Sequence, residues 1–358
     1  MRAIWATNFL FILSLSAHAQ ADSTVFDDLL FDALQGNMAP VVRALDTLED
    51  ARLKKDQVRM KHVLLHRFRK QDERYDYKTS DSSVKELMDI YHAYWRNALL
   101  DTGALKTQDI LLGAKVSEHL LRHVSPIDTL SAEYLAEHWT ELLETHLKEH
   151  GYYGAVGKTG QFYDLLLHAV ETEMRYPVTT PEDTLQVKVV FMDSVISNGW
   201  EGYATCDTYF PGGWATSDAL YCARSSYDLK SENFTVSYLK HEGKHFADYK
   251  RFPQLESADL EYRAKLVELG AAKTTMYGLI EFFLRNGAYD PDNGHAYANF
   301  CMIRDLSRSL FKKEREEDMA AWKALPLEKI QGTSTALLLK NTKDLEGAGA
   351  STVKKLIK

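Results

Sequence analysis

Over the stretch from about Val25 to Glu173, apolar residues recur at three- and four-residue spacing, as at Leu135, Trp139, Leu142 and Leu143, and glycine is sparse. That periodicity commits a large part of the chain to amphipathic helices. Breaks fall at Gly36, at Lys78 to Ser83, at Gly103, at Ser125-Pro126 and from Gly151 to Gly160. No fixed period marks a repeat. The segment Arg175 to Thr184, RYPVTTPEDT, carries two prolines and interrupts the pattern, so a domain boundary is expected there. Beyond it Leu185, Val187, Val189 and Phe191 alternate with Gln186 and Lys188, the period of a half-buried strand. A glycine- and aromatic-rich region follows, from Gly199 to Trp214, with a second strand expected from about Ala219 to Tyr227. Helices return over about Glu232 to Arg251, over about Asp259 to Leu284, and after Ala296; the Lys-rich segment beyond Gly332 reads as a peripheral tail. The expected fold is mainly α with a small α+β part. A helical domain covers 20–180, a domain with a short antiparallel or mixed sheet covers 181–330, and a tail covers 331–358.

The chain has 358 residues, enough for two hydrophobic cores. Its 45% apolar and 26% charged residues exclude general disorder and a polytopic membrane protein. The net charge of −8 removes the electrostatic footprint of a nucleic-acid binder. Arg2 precedes an apolar run from Ile4 to Leu15, and Ala17-His18-Ala19 follows as a small-residue cleavage site. This reads as a secretory signal peptide over 1–19, interrupted by Thr7 and Asn8 and too short to span a bilayer. A secreted or periplasmic protein with no membrane span in the mature chain is therefore expected. Cys206 and Cys222 flank a Pro-Gly-Gly turn and either pair or remain core thiols, while Cys301 is the odd one out.

The chemistry is carried by His241-Glu242-Gly243-Lys244-His245, an HExxH pattern inside a helical segment. Four helical residues advance about 6 Å and slightly more than one turn, so both imidazoles leave one face and reach a single ion. Zn²⁺ accepts imidazole nitrogens at about 2.0–2.1 Å, and a catalytic zinc site keeps one position for water. Glu242 lies beside the two histidines around the helix, placed to accept a proton from that water. Ser231 reads as the N-cap and Pro253 as the stop signal after Arg251. Phe234, Tyr238, His241, His245 and Phe252 share a stripe, and Leu239 and Phe246 flank Glu242, so burial on more than one side is expected.

These residues, with Leu260-Glu261-Tyr262-Arg263-Ala264 on the next helix, resemble the gluzincin branch of the zincin metallopeptidases. That branch carries HExxH on one helix and a Glu on a later one, often with a small residue three positions beyond. The resemblance implies His241, His245 and Glu261 as zinc ligands, Glu242 as general base, and Ala264 as the residue that lets the two helices approach. Glu268, one helical repeat later, is the alternative third ligand. Two positions depart from the family pattern: Lys244 is charged where uncharged residues are usual, and Lys265 stands where many gluzincins have Asp. Asp248, one turn after His245, is a candidate partner for a ligating imidazole. In the zincin fold an antiparallel edge strand beside the active-site helix pairs with an extended substrate, and Ala219 to Arg224 occupies that place in sequence. A donor for the tetrahedral intermediate is sought outside the motif helix, at His295 or Tyr297 after the Asp290-Pro291-Asp292-Asn293-Gly294 turn.

Other patterns carry less. His146-Leu147-Lys148-Glu149-His150 reads as the reversed HxxEH motif, but Gly151 places it at a helix end with no Glu-bearing partner helix after it. His62/His66 and His119/His123 are four apart without a Glu at the second position, as on ordinary amphipathic helices. Gly154 to Thr159 resembles part of a phosphate loop, yet Tyr152 occupies the place of its first glycine. The expectation is thus an exported zinc metallopeptidase that cleaves a peptide or protein substrate with zinc-activated water. The alternatives are a non-catalytic helical binding or scaffold protein with a structural or vestigial metal site, and a hydrolase of a non-peptide amide.

Overall fold

The structure is a computed structural model that describes residues 21–123 and 131–358. The signal-peptide pattern and the Ser125-Pro126 break lie outside the described residues. The fold is mainly α with a small α+β part, as the periodicity predicts.

The chain divides into two compact units, and the division crosses two long strands instead of falling between successive segments. One unit takes the described residues up to Glu171 together with Met192–Pro211. It holds α1 (Ala21–Ala33), α2 (Met38–Thr47), α3 (Lys55–Leu64), α4 (Ser82–Leu100), α5 (Leu105–His123), α6 (Ala132–Glu149) and the strand β1 (Tyr153–Thr159). The strands β2 (Phe162–Thr179) and β3 (Thr184–Asn198) each begin in one unit and end in the other, and α7 (Gly199–Thr205) follows β3. Local signals start these helices. The Asp81 carboxylate accepts the Ser83 and Val84 backbone N–H groups at 2.8 and 3.3 Å, after which Leu87, Tyr91, Trp95 and Ala98 are buried at helical spacing. The core joins them to Phe26, Leu143, Phe162 and Trp200.

The helical reading fails after Glu149. Residues Tyr153–Thr159 and Phe162–Thr179 are strands, paired antiparallel from Tyr153↔His168 to Thr159↔Phe162. Leu165, Leu166, Leu167 and His168 are all buried in β2. A strand covered on both faces loses its alternation and cannot be told from a buried helix by period alone. The proline-bearing segment is the end of β2, a turn in which the Thr180 N–H donates to the Asp183 carbonyl at 2.8 Å, and the start of β3.

The second unit comprises Thr172–Phe191 and Gly212–Lys358 among its described residues. It contains β4 (Gly213–Ala215), β5 (Leu220–Ala223), α8 (Leu239–Arg251), α9 (Ser257–Ala271), α10 (Met276–Arg285), α11 (Gly294–Phe311), α12 (Met319–Lys323) and α13 (Leu327–Gly349). The five strands run in the order β1-β2-β3-β5-β4. The strand expected at a free edge, Leu220–Ala223, is therefore internal, and the three-residue β4 is the outer strand next to it and packs against α8. The segment beyond Gly332 is not peripheral: Ser334, Leu338, Asn341, Thr342 and Leu345 of α13 are buried, and the helix packs along α9. Its polar buried positions hid this role from a hydropathy reading. No disulfide joins Cys206, Cys222 or Cys301 among the described residues. Among the described residues no helix is long and apolar enough to cross a membrane.

Candidate metal centre

The HExxH segment is introduced by a π-helical turn, Asn233–Tyr238, at whose start the Ser231 hydroxyl accepts the Phe234 N–H at 3.3 Å. The helix α8 then runs to Arg251, and Pro253 prevents its continuation. Gly243 lets β2 approach: a Cβ there would lie 2.8 Å from a Val178 methyl. The helix α9 packs on α8 and faces it with Glu261, Lys265 and Glu268.

Three donors converge between these helices. The Nε2 atoms of His241 and His245 are 3.2 Å apart. His245 Nε2 is 3.2 Å from Glu261 Oε1, and His241 Nε2 is 3.6 Å from Glu261 Oε2. All three side chains are at most 1% exposed. Metal–ligand bonds of about 2.0–2.1 Å in tetrahedral geometry put neighbouring donors roughly 3.3 Å apart. The imidazole pair and the His245–Glu261 contact match that edge length, while His241 makes its 3.6 Å contact with the other oxygen of Glu261. One donor atom from each residue lies within 4.8 Å of the others. Two neutral imidazole nitrogens brought this close on one helix need a proton or a cation between them.

The unpaired atoms point the same way. Both carboxyl oxygens of Glu242, Nδ1 of His245 and Oε1 of Glu261 are buried without a hydrogen-bond partner. A buried polar group left unsatisfied costs about 1–3 kcal/mol, and a cation bound at this cluster would offset that cost for Glu261 Oε1. Two imidazoles and one carboxylate form a donor set used both by hydrolytic zinc sites and by non-haem iron sites.

The surrounding groups orient the donors. His241 Nδ1 lies 3.3 Å from Glu268 Oε2, the carboxylate–imidazole pairing that fixes a ligand's tautomer. Glu268 therefore stands behind His241 and is not in the donor triangle. Glu261 Oε2 receives Lys265 Nζ and lies 3.0 Å from His295 Nδ1, which leaves Oε1 toward His245. Of the two candidate donors on α11, His295 reaches Glu261. Tyr297, about 200° farther round the helix, packs instead into the apolar core edge-to-face with Tyr289. Lys265, a departure from the family pattern, thus holds the third donor's carboxylate in place.

Burial disfavours a charged His241, but the carboxylates of Glu261 and Glu268 outweigh it and raise its pKa to about 9. Burial pushes the Glu242 carboxyl up to about 8, with His241 pulling it down and Glu261 pushing it up. Burial opposes ionisation of Glu261, yet the charges of His295, Lys265 and His245 hold its carboxyl well below the usual carboxylate range. A proton on His241 occupies the place a metal cation takes.

Lys244 and Asp248 turn away from the triad. Lys244 Nζ pairs with Glu182 at 2.5 Å and with Asp248 at 2.8 Å, and Arg263 donates to both Asp248 oxygens at 2.8 and 3.1 Å. The expected Asp248–imidazole partnership is absent because these cations take its carboxylate. Arg263 also donates to Asn341 Oδ1 at 2.7 Å and Thr342 Oγ1 at 2.8 Å, which joins α9 to α13. Burial opposes ionisation of Glu182, but Lys244 and Arg263 keep its carboxyl below the ordinary value. The charged middle of the motif is therefore part of a balanced buried network behind the site.

One further group had no sequence signal. The Tyr227 hydroxyl is buried without a hydrogen-bond partner, and burial, then the charges of Cys222, Glu242 and Glu268, hold the phenol neutral well above its ordinary range.

Comparison with protein-family models, with curated proteins and with solved structures finds no match for this chain. The site's own geometry carries the functional reading.

Proposed function

We propose that this protein is an exported zinc-dependent hydrolase, a metallopeptidase that acts on a peptide or protein substrate at His241, His245, Glu261 and Glu242. The observation that carries the reading is the buried convergence of both imidazole Nε2 atoms, 3.2 Å apart, on the Glu261 carboxylate, whose two oxygens lie 3.2 Å from His245 and 3.6 Å from His241, beside a Glu242 carboxyl that has no partner of its own. His241, His245 and Glu261 would hold the zinc ion, which would supply Lewis acidity toward a carbonyl and bring water ionisation to about pH 7. Glu242 takes the proton from the attacking water and later delivers it to the leaving amine. Glu268 and Lys265 keep His241 and Glu261 aimed.

Zinc analysis and peptide cleavage on Glu242→Gln test this. The amide keeps the side-chain shape and cannot act as a base, so the variant should retain stoichiometric zinc and lose roughly 10²- to 10⁴-fold in kcat. Unchanged turnover would remove Glu242 from the mechanism.

A second reading, a binding or scaffold protein with a structural metal, is favoured by one specific observation: the triad is closed off from solvent. Chelation separates the two. Loss of cleavage supports the hydrolase, whereas a metal-dependent melting temperature with no cleavage of a peptide library supports the structural role.

A further inference from the structure

The other unit contains a second cluster of imidazoles that the hydrolase reading does not use. His119 and His123 lie one turn apart near the end of α5, and Glu86 of α4 meets both. Glu86 Oε2 is 3.0 Å from His123 Nε2 and 3.5 Å from His119 Nδ1. One donor atom from each of the three residues falls within 4.8 Å of the others. We propose that Glu86, His119 and His123 form a second site for a divalent transition-metal ion of the zinc class, separate from the one between α8 and α9.

The site is built and not merely crowded. Glu86 Oε1 is held by Arg122 Nη2 at 2.5 Å, which turns Oε2 toward the two imidazoles. Ser83 Oγ is 3.2 Å from His119 Nε2, so that nitrogen has a partner and sets which ring nitrogen faces Glu86. His119 is fully buried, and its Nδ1 has no hydrogen-bond partner although it points at Glu86. With its proton on Nε2 and donated to Ser83 Oγ, the ring turns the Nδ1 lone pair to Glu86 Oε2, and a cation between the two removes their repulsion. A zinc site with bonds of about 2.0–2.1 Å needs donor edges of roughly 3.3 Å, and the two carboxylate edges bracket that length.

The donor chemistry selects the metal. Two imidazoles and one carboxylate suit Zn²⁺, Co²⁺ and Ni²⁺, whereas Ca²⁺ and Mg²⁺ require mostly oxygen ligands. The side chains of Glu86 and His123 are 34% and 31% exposed, so an ion has a path in. The ring of His146, buried in α6, lies 6.0 Å from that of His119 and also has an unpartnered Nδ1. It is the nearest further imidazole to complete the coordination.

The test uses the full chain, stripped with chelator, dialysed against Zn²⁺ and counted for metal. Wild type should hold about two zinc ions per chain, and His245→Ala about one. His123→Ala and Glu86→Gln should each lose one equivalent, and His123→Ala/His245→Ala should bind none. Cobalt loading of His245→Ala should give the visible absorption of a protein-bound ion, lost in Glu86→Gln/His245→Ala. Circular dichroism of each variant verifies that α4 and α5 remain folded. If His245→Ala holds no zinc, or if His123→Ala and Glu86→Gln hold as much as wild type, the second site is refuted. If His245→Ala holds the full wild-type content and His123→Ala holds none, this site stands and the one between α8 and α9 falls.

Discussion

Arg263→Met removes a guanidinium that is fully buried and whose donors reach Asp248, Asn341, Thr342 and Glu182. Methionine keeps the apolar stem but not the guanidinium, whose carbon lies 4.9 Å from the Phe252 ring centroid. The substitution deletes the charge and its hydrogen bonds together with that stacking contact. Glu182 and Asp248 are then left with Lys244 as the remaining cation that contacts both. Breaking a buried ion pair on one side costs about 3–5 kcal/mol, because a desolvated charge stays behind. That is a large share of the roughly 5–15 kcal/mol by which a domain is stable. At about 2–4 °C per kcal/mol for a unit of this size, melting should fall by roughly 6–20 °C. Urea midpoints and thermal melts, followed by circular dichroism in the presence of chelator, measure it without a contribution from metal. Asp248→Asn/Arg263→Met should cost less than the sum of the single changes by about 0.5–3 kcal/mol, since it removes both partners. A loss below about 1 kcal/mol for Arg263→Met would show that solvent or rearrangement screens the network, and the account of why Lys244 is tolerated within the motif would fail with it.

Three further outcomes follow from particular contacts. Glu268→Ala leaves the donor triangle intact but removes the carboxylate at His241 Nδ1, so zinc affinity, titrated against a fluorescent chelator, should drop about 10- to 100-fold; an unchanged constant would deny Glu268 a positioning role. Burial works against the Glu232 carboxylate, yet the Thr275 and Lys273 N–H groups and the Thr275 hydroxyl pull its pKa from 4.5 to about 2. Because the folded value is the lower one, its stabilisation is complete above about pH 4.5 and is lost as the pH falls toward 2; Glu232→Gln should flatten the acid limb of urea midpoints, and parallel limbs would contradict this. Gly199 has φ +77°, and a Cβ there would sit 2.4 Å from Asp164 Oδ1, which accepts the Trp200 N–H at 2.9 Å. Gly199→Ala should therefore cost more than about 2 kcal/mol from left-handed strain and the clash together, whereas a urea midpoint equal to the parent's would mean that the turn relaxes freely.

Much of the site was legible because its chemistry is local. The spacing of His241, Glu242 and His245 places them on adjoining faces of one helix whatever surrounds it, and Ser231 and Pro253 bound that segment by backbone rules that act over a few residues. Glu261 was reachable from sequence because the next helix must turn back and pack. The partners were not. Glu268 and Asp248 look equivalent as carboxylates near an imidazole, and only the rotation of α9 on α8 puts one behind His241 and ties the other to Arg263. The strands of Phe162–Leu167 were hidden by burial on both faces, which erases alternation.

The amino-acid order alone determines the helical majority, the single-face pair of imidazoles, the flanking carboxyl and the ends of the motif helix, because 3.6-residue periodicity and capping depend on neighbours in sequence. Tertiary packing decides everything that needs two elements to meet. It sets the 3.2 Å edges of the donor triangle, the grip of Lys265 on Glu261, the recruitment of α13 to bind Arg263, and the convergence of Glu86 with His119 and His123. Such contacts join residues far apart in the chain, and their geometry is fixed by how buried faces fill space, which no local pattern encodes.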